Sequence, residues 1–209
     1  MGKHVTNNLY HIILGSIILA MSVGMGATLL LAPGSIRLER PECGWVGWAF
    51  NIANLLFFFI LIPLSGIMLL MDLELGLLCC FEFSQPILSI VLELQGLTFF
   101  ISGSVLLLWS RMSLRRSFRL GGVKPAATDY LTMHGPYNYI RHPMYLSALL
   151  VQAGVAVLMG SLVLLLMFLI LVYLVVKLIP AEEDLLDQAY PLAYSEYCRR
   201  VPGALFPRG

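Results

Sequence analysis

The order of apolar and polar residues along the chain predicts five helices that cross a membrane. Apolar runs, most of them near or above the ~20 residues that a bilayer crossing needs, alternate with short polar segments. The predicted spans are about Leu9–Leu31, Trp45–Met71, Pro86–Trp109, Met144–Met159 and Leu162–Ile179. The stretch Leu75–Gln85 fits either an interfacial segment or the early part of the third span. The fold class expected is therefore an all-α, multi-pass integral membrane protein.

The last two spans are short and are separated by the very short turn Gly160-Ser161. A connection of this length favours antiparallel neighbours, so we expect these spans to form a helical hairpin. Pro180 is expected to interrupt the last span, because a proline cannot donate a helical hydrogen bond. Residues 1–109 should hold three N-terminal transmembrane helices. Residues 110–209 should hold a cytosolic connector, the hairpin and a polar tail, in one compact domain overall.

Composition agrees with the membrane class. The chain has 209 residues, of which 59% are hydrophobic, and a mean hydropathy of +0.85. Soluble domains contain roughly 45–50% apolar residues. The net charge of +1 gives no sign of a nucleic-acid partner. The four cysteines are scattered, are read as free thiols, and form no Cys/His pattern with metal-site spacing. The partners expected are membrane lipid and a lipophilic substrate, without nucleic acid or metal.

The distribution of charge predicts which side each loop occupies. With five spans, all of the 13 lysines and arginines except Lys3 fall on the side that holds the 110–141 connector and the tail. Positively charged loops are usually cytoplasmic. We therefore expect the C-terminus and the candidate site on the cytoplasmic side, and the N-terminus on the opposite side.

The stretch His134–Tyr145 is the largest concentration of polar chemistry in the chain. Gly135-Pro136 marks a turn, and Pro143 is suited to the first turn of a helix. Arg141 and His142 should then lie at a helix N-terminus at the membrane edge, where free amides favour an anion. The hydrogen-bonding rings of the stretch are those of Tyr137, Tyr139, His142 and Tyr145. These residues also have plain structural interpretations: His142 as a helix cap, Arg141 as a snorkelling cation, and the tyrosines as an interfacial aromatic belt.

Acidic residues supply further candidates. Glu93 falls inside the third span, where an ionisable group is either functional or bonded to a neighbouring helix, for example through Asn51 or Asn54. Glu182 and Glu183 are adjacent and point about 100° apart on a helix. We expect one of them to enter the site while the other stays in water. Acidic residues in a first helical turn are also explained by the helix dipole.

In combination, these motifs resemble the isoprenylcysteine carboxyl methyltransferases. Gly135-Pro136-Tyr137, then Arg141-His142-Pro143-Met144-Tyr145, an apolar hairpin and Glu182-Glu183 are similar to that family's Arg-His-Pro-x-Tyr…Glu-Glu signature. The phospholipid methyltransferases are similar. The Tyr194–Pro202 tail is close to the family's Tyr-x-x-Tyr…Arg-Val-Pro ending. The resemblance covers about Ser113 to Pro207.

The resemblance implies methyl transfer from S-adenosylmethionine, bound without a Rossmann domain, to a lipophilic acceptor such as an isoprenylcysteine carboxylate. S-adenosylhomocysteine would be the product. The implied cofactor-binding residues are Asp129, Tyr130, Leu131, Thr132, Tyr137, His142, Pro143, Met144 and Tyr145. Glu182 is implied on the substrate side and would serve as a base for an amine acceptor, and Arg141 is grouped with it as catalytic.

One position departs from the family pattern. The arginine that the eukaryotic enzymes carry shortly before the Glu-Glu pair has no match, because Leu178 stands at its place. The adjacent Lys177 is expected to substitute, so Lys177 and Glu93 join Glu182 as candidate substrate residues.

Three other functions stay open at this point. One is a phospholipid amine N-methyltransferase. Another is a nicotinamide-dependent sterol-type membrane reductase, which shares a similar Arg-His-Pro-x-Tyr ending. The third is a non-catalytic scaffold that binds lipid headgroups.

Overall fold

The structure, a computed structural model, describes residues 2–31, 40–71, 73, 86–119, 121–126 and 128–207, and all regular structure in these ranges is helical. This confirms the all-α class. The α-helices are α1 (Gly2–Leu31), α2 (Gly44–Leu56), α3 (Ile62–Met71), α4 (Pro86–Leu114), α5 (Pro143–Leu158), α6 (Leu162–Ala189) and α7 (Pro191–Arg200). Two 3-10 turns lie at Arg115–Ser117 and Gly135–Asn138. The ambiguous stretch Leu75–Gln85 lies outside the described residues.

Within the described ranges, four helices are long and apolar enough to cross a membrane. They are Leu9–Thr28, Gly44–Met71, Ile87–Ser117 and Leu162–Ala189. The apolar helix α5 has 16 residues and is therefore about 24 Å long, shorter than the roughly 30 Å of a hydrocarbon core. Multi-pass membrane character is thus supported, and the count of five crossings stays a prediction.

A π-helical turn joins α2 to α3 in one continuous helix. The turn spans Phe57–Leu61, and the Ile62 amide donates to the Phe57 carbonyl, five residues earlier. Pro63 follows directly and has no amide hydrogen for the Phe59 carbonyl. The wider turn lets the helix continue past this proline, so Pro63 is accommodated by a π-bulge.

The expectation that Pro180 interrupts the last span is wrong. Helix α6 continues through Pro180 for nine further residues, to Ala189. Prolines are tolerated inside transmembrane helices, because neighbouring groups can satisfy the carbonyl that loses its partner. As a consequence, Glu182 and Glu183 lie within the last turns of a long helix and not in the first turn of a new one.

Helices α4 and α5 approach so closely that their backbones touch. A Cβ atom at Gly154 would lie 2.5 Å from the Phe100 nitrogen and 2.7 Å from the Gly96 carbonyl oxygen. Phe100, Val151 and Val155 form the fully buried core beside this contact. Small residues permit such approaches between membrane helices. This contact fixes α5, and with it the polar segment at its start.

We expect Gly154→Ala to lower the thermal stability of the detergent-purified protein. The new methyl group would meet backbone atoms of α4, and overpacking of this kind costs about 1–3 kcal/mol. The matched control is Gly24→Ala in α1, where a Cβ would meet nothing within 4 Å. Equal melting temperatures for the two variants would show that the α4–α5 contact is not this tight.

Candidate functional site

A single cavity of about 210 Å³ joins the two polar parts of the chain. Its walls come from α2 and the π-helical turn, α4 and the segment after it, the start of α5, the last turns of α6 and helix α7. Of the residues that the sequence proposes, the cavity is lined by Asp129, Tyr130, Leu131, Thr132, Tyr137, Arg141, His142, Met144, Tyr145 and Glu182. The cavity therefore gathers most of the candidate site.

Helix α5 begins at Pro143, in the place that the sequence predicts. His142 occupies the N-cap position, but its side chain makes no capping hydrogen bond. The amides of Arg141 and His142 donate to the carbonyls of Gly203 and Ala204, at 3.0 Å and 2.9 Å. The tail thus satisfies these two amides, which are not available to an anion.

The Glu183 carboxylate holds Arg141 and His142 together. Its Oε1 atom lies 2.9 Å from Arg141 Nε, 2.8 Å from Arg141 Nη2 and 3.0 Å from His142 Nε2. Arg141 Nη1 also donates to the Val201 and Pro202 carbonyls. Burial lowers the pKa of Arg141, but the hydrogen bond and charge of Glu183 outweigh it, so the pKa is raised. The expectation that the second glutamate stays in water is wrong, because this ion pair holds it.

Glu182 enters the cavity from the adjacent position of α6. Its Oε2 atom accepts a hydrogen bond from the hydroxyl of Tyr145, which is 6% exposed. The Tyr145 ring stacks on His142, with centroids 5.4 Å apart, and meets the edge of Phe50 at 5.0 Å. The two adjacent carboxylates therefore have different roles: Glu183 ties the chain together, and Glu182 faces the cavity.

In the segment 129–132, the Asp129 carboxylate already has hydrogen-bond partners within the protein, whereas the Thr132 hydroxyl has none among the described residues. Asp129 binds Arg119 through both oxygens, at 2.6 Å and 3.2 Å, and accepts from the Ala126 amide at 2.8 Å. Thr132 is 5% exposed, and its hydroxyl has no hydrogen-bond partner among the described residues. An unpaired buried hydroxyl that lines a cavity is open to a bound molecule. Asp129 shapes the wall, whereas Thr132 offers a contact.

Tyr137 lines the cavity from the 3-10 turn that begins at Gly135. Gly135 has a φ of +63°, and a Cβ there would collide with the Ser113 hydroxyl, so glycine is required. The Tyr197 hydroxyl donates to the Tyr137 carbonyl at 2.7 Å. Burial, with the charge of Glu182 second, raises the pKa of Tyr137 well above its usual value. The phenol therefore stays protonated and can donate a hydrogen bond.

Three proposed site residues do not line the cavity. Pro143 is buried as the first residue of α5. Glu93 is hydrogen-bonded to Tyr10 of α1, and not to Asn51 or Asn54. Lys177 is exposed on α6. Glu93 thus follows the structural alternative, a bond between helices.

Several residues that line the cavity are not among the site residues predicted from the sequence. They are Phe50, Asn51, Asn54, Phe58 and Phe59 of the second span, and Tyr190, Tyr194 and Tyr197 near the C-terminus. The three-residue spacing of Asn51 and Asn54 on one apolar helix was the available signal, because paired amides in a membrane span are rare and need partners.

Comparison with known proteins gives two matches. Residues 91–193 match the sequence model of the family described as phospholipid methyltransferase. The chain is also 30% identical over 112 residues to protein-S-isoprenylcysteine O-methyltransferase B of Arabidopsis thaliana. That alignment covers 53% of this chain and 57% of the plant protein. The residues that match the family model include most of those that line the cavity.

The pKa of the Cys43 thiol, just before α2, depends on the acidic residues of this region. Cys43 is a free, partly buried thiol. Burial, followed by the negative charges of Glu182, Glu42 and Asp184, raises its pKa to about 11. At pH 8 only about one thiol in a thousand is then the reactive thiolate.

We expect iodoacetamide to label Cys43 slowly at pH 8 and about tenfold faster per pH unit up to pH 10. Glu182→Gln removes a negative charge that opposes the thiolate, so the pKa of Cys43 falls and labelling at pH 8 accelerates. Mass spectrometry of the Cys43 peptide gives the rate, with Cys198 in the same sample as the internal reference. An unchanged rate in Glu182→Gln would contradict the placement of Glu182 near Cys43.

Proposed function

We propose that this chain, whose residues 91–193 match the phospholipid methyltransferase family, transfers a methyl group from S-adenosylmethionine to a lipophilic acceptor in the membrane. The relative from Arabidopsis thaliana is named for methylating isoprenylcysteine. Its match covers little more than half of either chain, so the acceptor of the present protein is part of the proposal. We propose an isoprenylcysteine carboxylate-like acceptor, with a phospholipid amine as the alternative.

The observation that carries this proposal is a cavity that combines aromatic rings, a carboxylate and an unpaired hydroxyl. When bound, S-adenosylmethionine supplies a methyl group on a cationic sulfonium. The Tyr145 ring, fixed by its stacking on His142, suits a neighbouring cation. Thr132 has an unpaired hydroxyl for a polar part of the molecule. Residues 130–132, Tyr137 and Met144 complete this wall.

The opposite end of the cavity is apolar and suits a lipid. Leu55, Phe58, Phe59 and Leu107 line it. Phe59 is 36% exposed on the outer surface of the membrane helices, and Leu107 is buried. An acceptor's hydrocarbon chain can therefore extend from the bilayer into the cavity while its reacting group reaches Glu182. Positioning of this kind and exclusion of water are the main demands of methyl transfer.

Glu182 and Arg141 take different parts in this mechanism. Glu182 can accept the proton that an amine acceptor loses, whereas an ionised carboxylate acceptor needs no base. Arg141 donates to Glu183 and to two tail carbonyls, so most of its donors are used. We assign Arg141 a positioning role: it holds the start of α5, and with it Tyr145, against α6.

The proposed topology has five crossings, with α5 and α6 as an antiparallel pair and the cavity at the cytoplasmic membrane surface. The hydrogen bond between Tyr145, near the start of α5, and Glu182, near the end of α6, supports the pairing. The charge of the loops supports the cytoplasmic assignment.

We expect the detergent-purified protein to bind S-adenosylhomocysteine in titration calorimetry, and Tyr145→Ala and His142→Ala to weaken that binding. Loss of the aromatic face should cost Tyr145→Ala about 2- to 30-fold in affinity. The matched control is Ile170→Ala in α6, because Ile170 is 57% exposed on the lipid-facing surface. Binding of reduced nicotinamide cofactor in place of S-adenosylhomocysteine would contradict the proposal and favour a reductase.

Glu182→Gln separates the two acceptor classes. It keeps the shape of the side chain and removes the base. With an amine acceptor, the turnover number should fall about 10²- to 10⁴-fold, the usual contribution of a general base. With a carboxylate acceptor, it should change much less. A radiolabelled methyl donor and extraction of the methylated lipid give the rate, and unchanged turnover with both acceptors would remove Glu182 from the mechanism.

A further inference from the structure

Two asparagines of α2 line the cavity with oxygen atoms that have no partner. Asn51 is 5% exposed and donates through Nδ2 to the Gly121 carbonyl at 3.1 Å. Asn54 donates through Nδ2 to the Phe50 carbonyl at 2.8 Å. Because a carbonyl oxygen only accepts, these bonds fix the orientation of both amides. Both Oδ1 atoms are buried and have no partner among the described residues.

The position of Asn51 places it near Glu182. A Cβ at Gly121, whose carbonyl Asn51 binds, would lie 2.8 Å from the Tyr145 hydroxyl and 2.9 Å from the ring of Phe50. The same hydroxyl donates to Glu182. Gly121 therefore lies next to both the Asn51 amide and the Tyr145 hydroxyl that binds Glu182.

Asn54 lies about one helical turn further along α2, toward the apolar end of the cavity. It is followed by Leu55, Phe58 and Phe59, which line that end. Along this wall the order is thus Glu182, Asn51, Asn54 and then the aromatic residues of the π-helical turn. A lipid with its reacting group at Glu182 and its chain among the phenylalanines would carry its head group past the two asparagines.

The free polar atoms of this wall are hydrogen-bond acceptors. Glu182 contributes a carboxylate, and Asn51 and Asn54 contribute amide oxygens. The two arginines of the cavity are Arg119, which is paired with Asp129, and Arg141, which is paired with Glu183. Buried acceptors in native proteins normally have a donor, so the complementary ligand group is a donor.

We propose that Asn51 and Asn54 form the head-group subsite of the acceptor lipid and bind an N–H group on or beside its methyl-accepting atom. The inference rests on the proposed function. Both residues precede residues 91–193, so the subsite lies outside the part of the chain that the family match covers. Two sources supply the required chemistry: the ammonium of an ethanolamine phospholipid and the amide of an N-acylated prenylcysteine.

The test compares binding of ligand pairs that differ at the N–H group, using the full-length protein in detergent without methyl donor. One pair is N-acetyl-S-farnesylcysteine and S-farnesylthiopropionate, which lacks the amide. The other pair is phosphatidylethanolamine and phosphatidylcholine in mixed micelles, of which only the first has N–H donors. We expect the wild type to prefer the N–H member of at least one pair by about 3- to 100-fold, the range for one hydrogen bond.

The variants locate the source of that preference. Asn54→Leu and Asn51→Ala should lose most of it, mainly by weaker binding of the N–H member. Asn54 is the cleaner site, because its own donor bonds only to a carbonyl of the same helix. Ile52→Ala, at a lipid-facing position of α2 that is 51% exposed, is the matched control and should keep the preference. Melting temperatures show whether each variant is folded.

Asn54→Asp distinguishes the two sources. An added negative charge should tighten binding of the ammonium lipid and weaken binding of the farnesyl ligand, which carries a carboxylate. The proposal is overturned if the wild type binds neither pair, prefers neither N–H member, or keeps its preference in both asparagine variants. Donor binding is measured separately, so loss of the methyltransferase proposal and loss of this subsite give different results.

Discussion

The carboxylate of Glu183 connects the two polar parts of the chain, because it accepts hydrogen bonds from both Arg141 and His142. Arg141 extends the connection to the tail by donating to the carbonyls of Val201 and Pro202. A charge pair in this half-buried place stabilises only if its donors and acceptors are satisfied. Here His142 is a further partner of Glu183, and the Val201 and Pro202 carbonyls are further partners of Arg141. The result is a fixed start for α5, which places Tyr145 against Glu182.

The polar groups of the cavity differ in whether they already have a partner within the protein. Arg119 and Arg141 are paired, whereas Thr132, Asn51 and Asn54 keep polar atoms without a partner among the described residues. A cavity with paired cations and unpaired oxygens suits a ligand that brings donors or positive charge. Both proposals for this protein follow from that imbalance: a cationic methyl donor, and an acceptor lipid with an N–H group.

The sequence predicted the all-α class, the start of α5 and a set of candidate residues most of which line the cavity, because apolar run length, proline position and short motifs are local signals. The distinct roles of Glu182 and Glu183 were only partly predictable, since α6 continues through Pro180 and its neighbours decide which carboxylate faces the cavity. The contribution of Asn51 and Asn54 was not predicted, because α2 reaches the cavity only through tertiary contacts such as the bond from Asn51 to Gly121, 70 positions away. The bond of Glu93 to a neighbouring helix was one of the two alternatives, but its partner Tyr10 was not predicted, for the same reason.

The most direct measurement is an electron cryomicroscopy map of the detergent-purified protein with bound S-adenosylhomocysteine. We expect density for the ligand between Thr132 and Tyr145, with the Glu183 carboxylate between Arg141 and His142 and with Glu182 facing the ligand. Density at another place on the protein, or a map in which Glu183 is separated from Arg141 and His142, would contradict this expectation.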